Sequence, residues 1–160
     1  MISYQFLRRI CLSLSLSSVN HCRLLNPTCR SLTTSSAKYN DSSSKDDAVV
    51  SYEQLKAMLS THSVQLFDVR KPDEYQAGRI PDAVNIPLGH LEESLKLSPQ
   101  QFELLFEVKA PRKDDDNIVF HCLGGIRSSK ALQIARDLGF SRARHFPGGY
   151  SEWAKHEKKQ

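Results

Sequence analysis

The apolar run Ile118 Val119 Phe120 stops at His121 and Cys122, turns through Leu123 Gly124 Gly125 Ile126 Arg127, and gives way at once to a helical pattern. A strand that turns so tightly into a helix is one half of a βα unit, and the chain repeats the alternation on both sides of it. Val49 Val50, Val64 to Val69, Ala83 to Ile86 and Arg142 to Phe146 read as further strands. Between them, Ser51 caps a helix carrying Leu55, Met58 and Leu59 on one face, with Gln54 completing the capping box. Pro72 to Ala77 forms a single helical turn stopped by Gly78. Ser98 caps a second full helix with Pro99 at its first position and Phe102, Leu105 and Phe106 inward. Ser128 starts and caps the helix after the cysteine loop, Ala131, Ile134, Ala135 and Leu138 share its inner face, and Gly139 stops it. Tyr150, Trp153 and Ala154 pin a terminal helix, with Trp153 in the core. The alternation predicts an α/β fold whose mainly parallel sheet is covered by helices on both faces.

Parallel sheets hold their ligands beyond the carboxyl ends of the strands, where the Cys122 loop and the stretch Asp68 to Glu74 both fall. A thiol on a tight loop at a helix N-terminus meets backbone N–H groups that favour its anion, so Cys122 reads as a reactive thiolate. A buried core cysteine is the plainer alternative, and Gly124, Gly125 and Arg127 argue against it. The two glycines permit backbone angles and close approaches that a side chain would obstruct. Arg127 offers a planar guanidinium to an anionic ligand. Leu123 and Ile126 line the entrance, and His121 points to the other side of the strand. Asp68, Arg70 and Glu74 form a supporting charge network, in which the spacing of Arg70 and Glu74 suits a local ion pair. Asp114 Asp115 Asp116 is a solvated turn without the ligand spacing of a metal site, and no metal is expected.

The first 32 residues hold Arg8, Arg9, Arg23 and Arg30, no Asp or Glu, and three of the four cysteines. Those arginines account for the whole formal net charge of +4, so the remainder is neutral and carries no footprint of a nucleic-acid partner. An arginine-bearing, serine-rich, acid-free leader with Leu7, Ile10, Cys11 and Leu14 on one helical face has the composition of a mitochondrial transit peptide. Arg30 Ser31 Leu32 before Thr33 resembles a matrix-processing site. A secretory signal is the rival, but serines interrupt the apolar stretch Ile10 to Val19. No stretch is long and apolar enough for membrane insertion as a helix. The expected organisation is a transit peptide at 1–32, a flexible Ser/Asp/Lys-rich linker at 33–47 and one domain at 48–158, in the mitochondrial matrix. Cys122 is the one thiol outside the leader, which leaves no intramolecular disulfide to form there.

Three segments together resemble the rhodanese homology domain: Asp68 Val69 Arg70 with Glu74 Tyr75, Gly78 and Ile80; the loop Cys122 to Ser128; and Gly139 Phe140 with Gly148 Gly149 Tyr150 and Trp153. The single-domain mitochondrial sulfurtransferases of the family are the most similar. The resemblance implies a five-stranded parallel sheet, a persulfide-forming Cys122, and no metal or organic cofactor. It also implies a small anionic sulfur donor such as thiosulfate and a thiol, cyanide or protein acceptor. Under that resemblance Cys122 is the nucleophile and Arg127 the anion-binding residue. Leu123, Gly124, Gly125, Ile126 and Ser128 meet the substrate, and Asp68, Arg70 and Glu74 lend structural support. Four residues separate Cys122 from Arg127, the spacing of the sulfurtransferases, whereas the related Cdc25-type phosphatases have one more. A persulfide carrier between proteins and a non-catalytic interaction module are the alternatives, and the intact cysteine loop weighs against the module. Arg79, Asp82 and Ala143 depart from the family pattern, where His, Gly and a larger aliphatic residue are usual.

Overall fold

A computed structural model describes residues 48–158. The expected leader at 1–32 and linker at 33–47 fall outside the described residues. Four strands, β1 (Gln65–Asp68), β2 (Val84–Asn85), β3 (Ile118–His121) and β4 (Arg144–Phe146), form one sheet in the order β2-β1-β3-β4. Every pairing is parallel, with Leu66 beside Val119 and Phe120 beside His145. Helices α1 (Tyr52–Ser60), α2 (Pro72–Ala77), α3 (Leu88–Leu95), α4 (Pro99–Phe106), α5 (Ile126–Asp137) and α6 (Gly149–Glu157) make the connections and the terminal segment.

Side chains alternate across a strand, and the core divides accordingly. Phe67, Ile118, Phe120 and Cys122 pack with Leu91, Phe102, Ala131 and Ala135 from α3, α4 and α5. Leu66, Val119 and Phe146 pack on the opposite face with Leu55 and Leu59 of α1 and Trp153 of α6. Burial on both faces is the reason the strand sequences read as unbroken apolar runs.

Among the described residues the sheet has four strands and not the expected five. Val49 makes a single parallel bridge to His145, supported by Val50 N–H donating to the His145 carbonyl at 2.9 Å. Pairing goes no further because Ser51 caps α1 directly afterwards, its oxygen accepting from Gln54 N–H at 3.2 Å while Gln54 answers the Ser51 N–H at 2.9 Å. Ser98 caps α4 with Pro99 at the first position as expected, and Gln101 adds a capping box that was not foreseen. Helix α3 was not anticipated; Pro87 precedes it without a side-chain cap, and tertiary burial of Leu91 and Ser94 holds it instead. Helix α5 begins at Ile126, two residues ahead of the expected start, and its N-cap is Gly125 at φ 93°, not Ser128.

Candidate active site

Cys122 lies just past the carboxyl end of β3, where the loop to α5 turns back beneath its own first helical turn. Gly125 N–H donates to Cys122 Sγ at 3.1 Å, and the Ser128 hydroxyl stands 3.7 Å from the same sulfur. Burial pushes the Cys122 thiol up, but the N–H groups of Ser128, Gly124 and Gly125 with the Ser128 hydroxyl outweigh it and hold the thiol below its ordinary range. The residue is 1% exposed, so the sulfur sits under the loop and not on its crest. Leu123 at 44% and Ile126 at 76% exposure stand outside it.

Helix α6 clamps the loop from behind. Tyr150 N–H donates to the Cys122 carbonyl at 2.8 Å and Ser151 N–H to the Leu123 carbonyl at 3.1 Å. Such closeness requires Gly149, whose φ is 57° and where a Cβ would meet the carbonyls of Cys122 and Leu123. Gly125 is required for the same two reasons, its φ being positive and a Cβ lying 2.6 Å from the Pro147 carbonyl. Gly124 has neither constraint, with open space where its side chain would be, so the expectation of a special backbone holds for only one of the loop's two glycines.

The charged residues come together in pairs other than the expected one. Arg70 turns back to Asp68, its Nε 2.9 Å and its Nη2 2.6 Å from Oδ2, and the pair is fully buried. The same Nη2 donates to the Gly78 carbonyl at 2.7 Å, and the guanidinium lies 4.5 Å from the Tyr150 ring centre. Arg70 therefore ties β1, the end of α2 and the start of α6 into one block. Glu74, released from Arg70, takes Arg127 at 2.6 and 2.8 Å. The Arg127 side chain donates two bonds to it, and together with the Lys71 N–H they hold the Glu74 carboxyl at about 2. A local spacing rule selected Arg70, whereas the parallel sheet brings α2 beside the first turn of α5.

Ser128 is completely buried beneath Cys122, its hydroxyl donating to the Gly125 carbonyl at 3.0 Å, so it supports the loop from below and does not line the mouth. His121 faces away from the thiol, as its place on β3 requires, with Nε2 3.7 Å from Asp68 Oδ2. Burial pushes its pKa down to about 4 against the pull of Asp68, so this contact joins a neutral ring to a carboxylate. Sequence reasoning missed His145, whose Nδ1 is 3.2 Å from Ser128 Oγ; the available signal was an imidazole inside an otherwise packed strand. It also missed the Tyr150 ring as the cover over Arg70. Asp82 adopts φ 59°, the conformation that a glycine usual at that turn would take without strain. Arg79 is exposed over the Tyr75 ring, whereas Ala143 is buried in the core cluster that also holds Cys122. A cavity of about 600 Å³ lined by Met58, Asn117 and Arg144 opens at the opposite end of the strands, with no thiol or imidazole in its lining.

The rhodanese-like domain pattern matches residues 51–156, enclosing the whole of this geometry. The chain belongs to the rhodanese-like family. Its rhodanese domain is 41% identical over 108 residues to the thiosulfate:glutathione sulfurtransferase of Homo sapiens, covering 68% of this chain and 94% of that protein. The solved human single-domain sulfurtransferase TSTD1 superposes with a TM-score of 0.65 at 40% identity, over 68% of this chain and 96% of the other. Thiosulfate sulfurtransferase RDL2, mitochondrial, of Saccharomyces cerevisiae is 32% identical over 55% of this chain and 58% of its own length.

Proposed function

We propose that this rhodanese domain is a thiosulfate sulfurtransferase that carries sulfane sulfur on Cys122. The observation that carries the reading is the Cys122 sulfur held between the Gly125 N–H and the Ser128 hydroxyl at the amino end of α5, which favours an anion at that atom. The Cys122 thiolate attacks the outer sulfur of thiosulfate. A sulfur–sulfur bond forms at Cys122 as the donor's own breaks, and sulfite leaves with the bonding pair. An acceptor thiolate or cyanide then attacks the outer persulfide sulfur, and the electron pair of the cleaved bond returns to Cys122 as thiolate. The atoms balance with thiol, donor and acceptor alone.

In this scheme Arg127 binds the donor's oxygens with the N–H groups that Glu74 leaves unused, since a guanidinium has five. Leu123, Gly124, Gly125 and Ile126 meet the incoming donor, while Ser128 supports the sulfur itself. Asp68, Arg70 and Glu74 hold the loops in register. Deep seating of Cys122 favours small reagents whose reactive atom projects towards the loop, as the outer sulfur of thiosulfate does.

Domain limits of 48–158, preceded by a linker at 33–47 and a transit peptide at 1–32, complete the proposal, with the mitochondrial matrix as its location. Support comes from the leader's composition and from the mitochondrial designation of the yeast relative. Mature protein from mitochondria then begins near Thr33, and a cytosolic form retaining Met1 contradicts the leader. The exposed apolar pair Leu123 and Ile126 favours, as a second reading, a protein acceptor over a small thiol. Faster discharge to a thioredoxin-like protein than to glutathione would support that carrier role.

Thiosulfate treatment followed by peptide-resolved mass spectrometry tests the central claim. The expected result is a gain of about 32 Da, one sulfur atom, on the Cys122 peptide. A folded, reduced protein that gains nothing there overturns the sulfurtransferase reading.

A further inference from the structure

The Ser128 oxygen sits at the junction of three contacts that one hydroxyl proton cannot serve in every arrangement. It lies 3.7 Å from Cys122 Sγ, 3.0 Å from the Gly125 carbonyl oxygen and 3.2 Å from His145 Nδ1. A hydroxyl donates once and accepts twice. With Cys122 as a thiol, the carbonyl takes the Ser128 proton and the thiol donates to the oxygen. The third contact is then a hydrogen bond only if His145 Nδ1 bears hydrogen and donates it. Once Cys122 loses its proton the sulfur becomes an acceptor, and the Ser128 hydroxyl can turn to it. Gly125 tolerates the turn, because its carbonyl also accepts from Ser129 N–H at 3.0 Å. A bare Nδ1 would instead compete with the sulfur for the one proton.

We propose that His145 is a positioning residue for sulfur transfer, donating Nδ1–H to Ser128 and so leaving the Ser128 proton for the Cys122 thiolate and its persulfide. This rests on the persulfide chemistry proposed for Cys122. Strand β4 sets His145 beside Phe120 in parallel register, on the sheet face that also carries Cys122. Burial, and after it the Arg136 charge from α5, hold the half-buried ring below the ordinary imidazole range, so near neutral pH it is uncharged and can keep hydrogen on Nδ1. Arg127, the charge coupled to Cys122, is a separate influence that substitution at His145 leaves in place.

Iodoacetamide alkylation of Cys122 across pH, read by peptide-resolved mass spectrometry in the full chain, reports the thiolate fraction apart from the three leader cysteines. His145→Leu is expected to slow Cys122 alkylation at neutral pH by about three- to tenfold and to lower kcat for thiosulfate, with KM little changed. His145→Asn, whose side-chain N–H can reach the same oxygen, is expected to restore most of the rate. Ser128→Ala should slow the reaction similarly, and adding His145→Leu to it should slow it no further. Three results overturn the proposal: His145→Leu alkylating like the wild type, His145→Asn slowing as far as His145→Leu, or independent effects in the double variant. If alkylation follows the expected pattern while Cys122 takes up no sulfur from thiosulfate, the coupling of His145 to the thiol stands and the sulfurtransferase reading fails.

Discussion

Glu74 grips Arg127 through both carboxylate oxygens, at 2.6 and 2.8 Å, joining side chains 53 residues apart in the chain. An anionic donor reaching the Cys122 loop therefore meets a guanidinium already neutralised by a neighbour. Glu74→Gln removes that competing charge and is expected to lower KM for thiosulfate about three- to tenfold, the scale of a partly exposed ion pair. Arg127→Ala should raise KM, losing about 1.5 to 3 kcal/mol of charge-assisted binding. Steady-state kinetics with thiosulfate check both, and an unchanged KM in the pair of variants removes Arg127 from donor binding.

Stability should fall with acid in two windows that overlap between 4 and 4.5. His121 is held at about 4 in the fold against an ordinary 6.5, so between those values the unfolded chain binds the proton and the folded chain does not. Its effect is a loss of stability as pH drops from 6.5 towards 4. Glu74 is held at about 2 against 4.5, so its stabilisation is complete above 4.5 and is lost as pH falls towards 2. Urea unfolding at stepped pH reads both slopes; Glu74→Gln should make the lower slope shallower, with Glu53, Asp115 and Glu157 still contributing to it, and leave the slope above 4.5 unchanged.

Cys122→Ser replaces a buried sulfur with a smaller hydroxyl that still accepts from Gly125 N–H. The expected outcome is an unfolding midpoint close to that of the wild type and sulfur transfer reduced to background. Retained transfer would falsify the assignment of the nucleophile.

Gly149→Ala places a methyl group between two carbonyls of the cysteine loop, one of them 2.7 Å away at Leu123, on a backbone with φ 57°. A loss of about 1 to 3 kcal/mol is expected, together with slower persulfide formation as the loop shifts. Gly124→Ala is the contrast, since its side chain enters open space and stability should change by less than about 0.5 kcal/mol. Equal destabilisation in the two variants would show that α6 does not clamp the loop.

Elements whose signals are local agree closely between sequence and structure. The capping box at Ser51 and the Ser98 cap with Pro99 need only a few consecutive residues, and both form. Strand β3 and the glycine stop after α5 are of the same kind. Helix α3 has Leu88, Leu91 and Leu95 at helical spacing, but Pro87 precedes it and no side chain caps its start, so the usual start signal is missing. The fifth strand shrank to one bridge at Val49 because the capping box at Ser51 competes for the same chain.

The amino-acid sequence by itself determined the alternation of strands and helices, the parallel sheet that follows from it, and Cys122 on a loop before a helix. Each is set by periodicity or by neighbours in the chain, which act before any tertiary contact exists. Only the tertiary structure decided which polar side chains pair. Arg70 reaches Asp68 and Gly78, Glu74 reaches Arg127, and His145 reaches Ser128, because pairing depends on which strand ends the sheet order β2-β1-β3-β4 brings side by side. Spacing along a chain cannot specify those distances, since a carboxylate binds the guanidinium that packing brings within reach.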